Sequence, residues 1–326
     1  MSFPLSRRPG VVVVADDSQT FADTMRLVVS TRWPVRTIYS SSELETYFGA
    51  AATAFEVEGE RQHQILARAV QGGSLVEDIL AYWRICVDRY EIPMACMFDY
   101  FMPGKNGLDA MKAARDWPGA KVLVSGMAEE AVSIQAFNAG EIHGYLPKQT
   151  EGLTHSLLST LDRLIEQQVD ASKLGWPLAE TTLRLAQLMA LRKPAVQKLL
   201  REWTDAYFVE YVVIGRPFGV LGLSAEGESR WLQVHLWNDL EEIANAAVRE
   251  GADAHEGDET TKGALVWIDK AVVPLMSAPR ASVATEVAIR GELLASAVRL
   301  DERLSPGQQG SYAAFRKKLR RTASPG

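Results

Sequence analysis

Hydrophobic and polar positions follow two rhythms along the first half of the chain. Val11-Val12-Val13-Val14-Ala15 is a short, wholly apolar run, as expected of a strand buried on both faces of a parallel sheet. Val35 to Tyr39, Met94 to Phe98 and Lys121 to Val124 predict three more strands, and Gly144-Tyr145-Leu146 a short fifth. The run from Val35 to Tyr39 is the weaker one, because it carries Arg36. Between the strands the period lengthens to that of a helix. Phe21, Met25 and Val28 share a stripe over 18–30, and helices are predicted over 107–116 and 129–139. Leu153, Leu157, Leu158, Leu161 and Ile165 then form a clean helical face. Five strands alternating with helices predict an α/β domain built on a doubly wound, five-stranded parallel sheet.

One stretch exceeds that plan. More than fifty residues separate the second strand from Met94, where a connection with one helix needs far fewer. Leu44, Tyr47, Phe48 and Ala51, then Ile65, Leu66, Ala69 and Val70, then Leu75, Ile79, Leu80 and Trp83 recur at helical spacing. The pattern predicts a helical insertion over about 44–90, in the place of the second helix. So apolar a segment must pack against its own sheet, the second domain or another subunit.

Gly175-Trp176-Pro177 punctuates the chain after the helical face ends, so the domain break is expected between about 168 and 176. Beyond it, Leu183 to Leu191 and Ala195 to Phe208 are helical in pattern, and Val209 to Ile214 is strand-like. Phe218 to Leu223 and Arg230 to His235 flank a polar turn and predict a β-hairpin. Leu240 to Arg249 reads as a helix, Gly251 to Thr261 as a polar loop, and the remainder as mostly helical. The second domain, 176–326, is therefore expected to be a smaller α+β unit.

Composition narrows the function. The 326 residues are 47% hydrophobic and 23% charged, which excludes wholesale disorder, and the net charge of −6 is a poor basis for phosphate-backbone binding. Cys86 and Cys96 are too few for a disulfide framework or a four-cysteine metal site, and they suit a reducing compartment. Arg7-Arg8 opens like a twin-arginine export signal, but the apolar run after it stops at Asp16-Asp17. The expectation is a cytoplasmic protein without a membrane span.

Chemistry-bearing residues gather at the carboxyl ends of the predicted strands. Asp16 and Asp17 follow the first, Asp99 the third, Ser125 the fourth and Lys148 the fifth. In an open parallel sheet these ends converge on one crevice. Three carboxylates there repel one another and suit a hard cation, Mg²⁺ above all. A carboxylate can act as a nucleophile toward phosphorus, with the cation, an ammonium and a hydroxyl stabilising the transferring group. Taken singly, each of these residues has a plainer use: an aspartate at a strand end as a turn or cap, a lysine as a solvated cation, Tyr145 as core.

Together they carry a resemblance. Asp16-Asp17, Phe98-Asp99-Tyr100-Phe101-Met102-Pro103-Gly104-Lys105-Asn106-Gly107, Val124-Ser125-Gly126 and Gly144-Tyr145-Leu146-Pro147-Lys148 resemble, in order, the receiver domain of two-component response regulators. The resemblance covers residues 9–168 and implies a flavodoxin-like fold. It implies that Asp99 is the phosphoacceptor and that Asp16, Asp17, Asp99 and the backbone carbonyl of Phe101 hold Mg²⁺. Ser125 and Lys148 would hold the phosphoryl group, and Tyr145 would be the aromatic switch. The implied partners are a histidine kinase or phosphotransfer protein and a second copy of the chain, a homodimer being expected through the last two strands of the sheet or the insertion. An enzymatic output is not expected, beyond autodephosphorylation. Two features depart from the family pattern: the insertion, and Pro147, which precedes Lys148 where many receivers place a proline after it.

For the second domain two outputs are open. A protein-interaction or ligand-sensing module fits the predicted hairpin, with an unknown downstream protein as partner. The alternative is DNA binding through a helix-turn-helix at about 183–203, with Arg192, Lys193, Gln197, Lys198 and Arg201 facing the duplex. Residues 151–326 hold 21 Lys and Arg against 23 Asp and Glu, which counts against that alternative.

Overall fold

The computed structural model describes residues 3–115, 117–126, 130–170, 176 and 179–322. The first half runs β1 (Ser6–Arg7), β2 (Val11–Ala15), α1 (Gln19–Val29), β3 (Val35–Ile38), α2 (Ser41–Val70), α3 (Leu75–Ile85), β4 (Pro93–Phe98), α4 (Gly107–Ala110), β5 (Ala120–Ser125), α5 (Glu130–Asn138), β6 (Gly144–Pro147) and α6 (Leu153–Asp170). The second half runs α7 (Leu185–Leu191), α8 (Pro194–Tyr207), β7 (Glu210–Gly215), β8 (Phe218–Leu223), β9 (Ser229–Leu236), α9 (Leu240–Arg249), α10 (Ala254–Lys262), β10 (Leu265–Trp267), β11 (Ser282–Ala284), β12 (Val287–Ile289), β13 (Leu293–Arg299) and α11 (Tyr312–Thr322).

These elements form two compact units that are interleaved along the chain rather than contiguous. One comprises Pro9–Gln62, Asp88–Leu174 and Phe315–Gly326; the other comprises Met1–Arg8, His63–Val87 and Gly175–Ala314. The linker expected near 168–176 falls mostly on residues outside those described.

In the first unit, β3-β2-β4-β5-β6 form an all-parallel sheet in that order, the doubly wound, flavodoxin-like arrangement. Its strands read as unbroken apolar runs because both faces are covered. Val12 and Val14 of β2 face a core shared with Ala22, Met25 and Val29 of α1 and Leu157 and Leu161 of α6. Val13 and Ala15 point the other way, toward Leu44, Phe48 and Ala51 of α2. The second helix of the fold is thus present as the first turns of α2, a correction to the expectation that the insertion replaces it. His143 lies beside β5, where its Nδ1 accepts from the Lys121 backbone N–H at 3.0 Å.

The second unit is built on a six-stranded antiparallel sheet, β1-β7-β8-β9-β13-β12. One face carries Tyr211, Val213, Val220, Leu232 and Val234, covered by Ala190 and Leu191 of α7 and Val196 and Leu200 of α8. The other carries Val212, Ile214, Leu221, Trp231 and Leu294. Packed on it are Leu75, Val76, Ile79, Leu80 and Trp83 of α3, together with Ile65. The later part of the inserted segment is therefore core of this unit.

Two expectations for the second half are corrected. Residues 254–262 form α10 rather than a loop, because Asp253 caps the helix and makes a reciprocal capping box with Glu256. Residues 265–299 carry four strands, β10 to β13, and no α-helix, where a mostly helical stretch was expected. Leu293–Arg299 is apolar without a decisive period, and its seven-residue pairing with β9 overrides the helix preference of its leucines and alanines. No helix among the described residues is long and apolar enough to cross a membrane.

Acid should loosen both units. Burial holds His143 and His235 below the ordinary histidine value of 6.5, with Lys121 adding to the effect at His143. The unfolded chain therefore takes up protons that the folded chain refuses, and stability falls as pH drops from about 6.5 toward the folded values. Melting temperatures at pH 7.5 and 5.5 should differ less in His143→Gln than in the parent protein.

Candidate functional site

The parallel ladders continue one residue past the strands and set the site. Asp99 N–H donates to the Ala15 carbonyl at 2.9 Å, Asp16 N–H to the Ile38 carbonyl at 3.0 Å, and Lys148 N–H to the Ser125 carbonyl at 2.8 Å. The residues that follow β2, β4 and β6 are thereby held in register at one edge of the sheet. Asp16 and Asp99 are buried at 1% and 6% exposure, and Asp17 is exposed. A carboxylate oxygen of each lies within 4.8 Å of the other two.

Lys148 bridges this cluster. Its Nζ lies 2.8 Å from Asp16 Oδ2 and 2.9 Å from Asp99 Oδ2. Asp99 Oδ1 accepts from Tyr100 N–H at 2.8 Å. Burial raises the Asp99 carboxyl above its usual range, with Asp16 adding to the rise and Lys148 opposing it. Burial alone would lower the Lys148 ammonium, but Asp16 and Asp99 outweigh it and the net shift is upward.

The sequence reading missed the support around these groups. Ser18 N–H donates to Asp16 Oδ1 at 3.0 Å, and Ser18 Oγ accepts from Phe21 N–H at 3.4 Å as the cap of α1. That cap places the Phe21 ring 4.7 Å from Lys148 Nζ, a cation–π contact. The serine just after Asp16-Asp17 was a visible cap signal; the ring contact needed the fold. Gly107 closes the loop after β4: its N–H donates to the Tyr100 carbonyl at 2.8 Å, and a Cβ there would stand 1.9 Å from the Asp99 carbonyl oxygen. Only glycine fits that approach.

The other expected residues lie near but are not joined to the cluster by side-chain contacts. Ser125 is fully buried, and its Oγ donates to the adjoining Gly126 carbonyl at 3.4 Å. Tyr145 is half-buried, with Oη 3.5 Å from that same carbonyl. The Phe101 side chain is exposed and stacks edge-on against Tyr100.

The donor set fits Mg²⁺. Three carboxylates face one ammonium, which reaches Asp16 and Asp99 and leaves carboxylate charge in excess. Oxygen ligands in excess of local positive charge match a hard divalent cation.

No protein-family profile matches the sequence, and no curated protein matches it. Among solved structures, the response regulator LqsR of Legionella pneumophila is similar over 98% of this chain and 97% of its own, at 19% identity and a TM-score of 0.71. The chain shares the fold of that protein. That likeness spans both units, including the antiparallel one. A receiver domain from Methanospirillum hungatei (15% identity, 49% of this chain and 97% of that chain, TM-score 0.32) and an adenylate cyclase from Rhodopirellula baltica (17%, 51% and 93%, 0.34) also match.

Proposed function

We propose that this chain is a cytoplasmic response regulator of a two-component phosphorelay. The observation that carries the reading is the cluster of Asp16, Asp17 and Asp99 bridged by Lys148 at the carboxyl edge of a parallel sheet. An Asp99 carboxylate oxygen attacks the phosphorus of a phosphohistidine on a kinase or phosphotransfer protein. The P–O bond to Asp99 forms as the P–N bond breaks, and the histidine leaves with its electron pair.

Mg²⁺ held by Asp16, Asp17, Asp99 and the Phe101 carbonyl would neutralise charge on the phosphoryl oxygens. Lys148 transfers its ion pair from the Asp99 carboxylate to the new phosphoryl group, steadied by the Phe21 ring. Ser125 turns its hydroxyl from Gly126 to a phosphoryl oxygen, and Tyr145 follows into the vacated space. Water later hydrolyses the acyl phosphate, so the chain is a phosphoacceptor that turns itself off rather than an enzyme acting on other substrates.

The homodimer surface we assign to α5 and β6, where Val132, Ile134 and Phe137 are exposed at 37%, 52% and 53%. The output we assign to protein interaction. The helices proposed for DNA are present as α7 and α8, but Lys193 pairs with Glu292 and Lys198 with Glu202, so that surface carries both signs.

Incubation with Mg²⁺ and acetyl phosphate should add one phosphoryl mass to the intact protein, lost on adding chelator beforehand. Failure to label would remove this reading. Mg²⁺ alone should raise the melting temperature, by about 2.7 kcal/mol of stability at one hundred times its Kd. Asp16→Ala should lose that rise.

A further inference from the structure

A cavity of about 620 Å³ opens in the second unit, where the β7–β8 turn, α9 and the segment after β10 meet. That volume is typical of small-molecule sites. Buried polar side chains build its wall. Gln187 of α7 accepts from Arg184 N–H at 2.7 Å and donates to the Gly215 carbonyl at 3.0 Å. Gln233 of β9 accepts from Trp231 Nε1–H at 3.0 Å and from Asp269 N–H at 3.1 Å, and donates to the Phe218 carbonyl at 3.0 Å. Both amides are used at both ends, and between them they hold the two ends of the turn.

His235 differs. It is 8% exposed and contacts the Trp267 carbonyl through Nε2 at 2.8 Å. A carbonyl only accepts, so Nε2 carries the proton and Nδ1 presents a lone pair. Nδ1 has no hydrogen-bond partner among the described residues. His235 lines the cavity, and Nδ1 is the ring atom left able to accept from a molecule bound there.

Charge selects the donor. Asp239 and Asp269 line the cavity and both act electrostatically on the His235 ring, and Glu242 lines it from α9. Asp269 Oδ1 is used by the Ala271 N–H at 2.9 Å. Of the two lining arginines, Arg184 is engaged by Asp239 at 2.6 Å, which leaves Asp269 and Glu242 against Arg216, an excess of one negative charge. Phe218, Pro217 and Ile243 supply apolar wall.

We propose that this cavity binds a small organic cation with an apolar body, an amine or amidine, which donates an N–H to His235 Nδ1 and sets its charge against Asp269 and Glu242. The site is separate from the carboxylate cluster, and the inference does not depend on the phosphorelay reading.

The test uses the full chain labelled with ¹⁵N-histidine, with benzamidine as the probe and benzoate as a counter-probe of similar size. Benzamidine should shift the His235 ring nitrogens saturably, and benzoate should not. Asp269→Asn, which retains the cap on Ala271, should weaken benzamidine about tenfold, as loss of a charge-assisted hydrogen bond does. Glu242→Gln, on the exposed face of α9, should weaken it in the same direction. Three results would each overturn the proposal: no response of His235 to millimolar benzamidine, a benzoate response as strong, or an affinity unchanged in Asp269→Asn.

Discussion

Asp99→Asn abolishes phosphoryl labelling while leaving the fold intact; that is the largest functional effect expected of any single substitution here. The amide matches the carboxylate in size, and its oxygen can still accept from Tyr100 N–H. It lacks the negative charge that makes a carboxylate oxygen a nucleophile toward phosphorus, and its nitrogen lone pair is delocalised into the carbonyl. The loss should therefore be complete rather than graded. Stability should move the other way in the absence of Mg²⁺. Asp99 stands within 4.8 Å of two other carboxylates and is buried, so removing its charge relieves repulsion that one lysine only partly offsets. Intact-mass labelling and thermal melting on the same sample check both halves. A variant that fails to label because it is unfolded would show itself in the melt.

Trp83→Ala is the substitution with the largest expected effect on stability. Trp83 sits on α3 within the inserted segment, yet it is fully buried in the core of the antiparallel sheet with Trp231 and Leu80. Truncating a buried tryptophan costs about 3–5 kcal/mol, from lost transfer energy and the cavity left behind. Val70, in the same segment, is 90% exposed, and Val70→Ala should change stability by no more than about 0.5 kcal/mol. Denaturant titration of both variants decides the matter. Equal, small effects would mean that α3 is an appendage and not part of that core.

The first unit was legible in the sequence because its strands are buried on both faces. Five short runs, four of them followed by a chemistry-bearing residue, gave the sheet and the end that carries the cluster together. The insertion was harder to place. Its apolar spacing showed that it must pack on something, but the choice among sheet, second domain and partner depends on long-range contacts that periodicity does not carry. Phe21 was visible as one member of a helical stripe. Its place over Lys148 depends on the ladder contact that brings β6 beside β5, more than a hundred residues along the chain. In the second half, Leu293–Arg299 misled because leucine and alanine favour helices, and only pairing with β9 makes it a strand. Helix α10 was missed for lack of apolar residues, although Asp253 and Glu256 spelled out its capping box.

Reductive trapping tests the central claim most directly. The protein is phosphorylated with acetyl phosphate and Mg²⁺, treated with borohydride, digested and sequenced by mass spectrometry. An acyl phosphate on Asp99 is reduced to homoserine, so a single homoserine at position 99 is the result expected. Homoserine at Asp16 or Asp17, or an intact aspartate at 99 in protein that had gained a phosphoryl group, would contradict it.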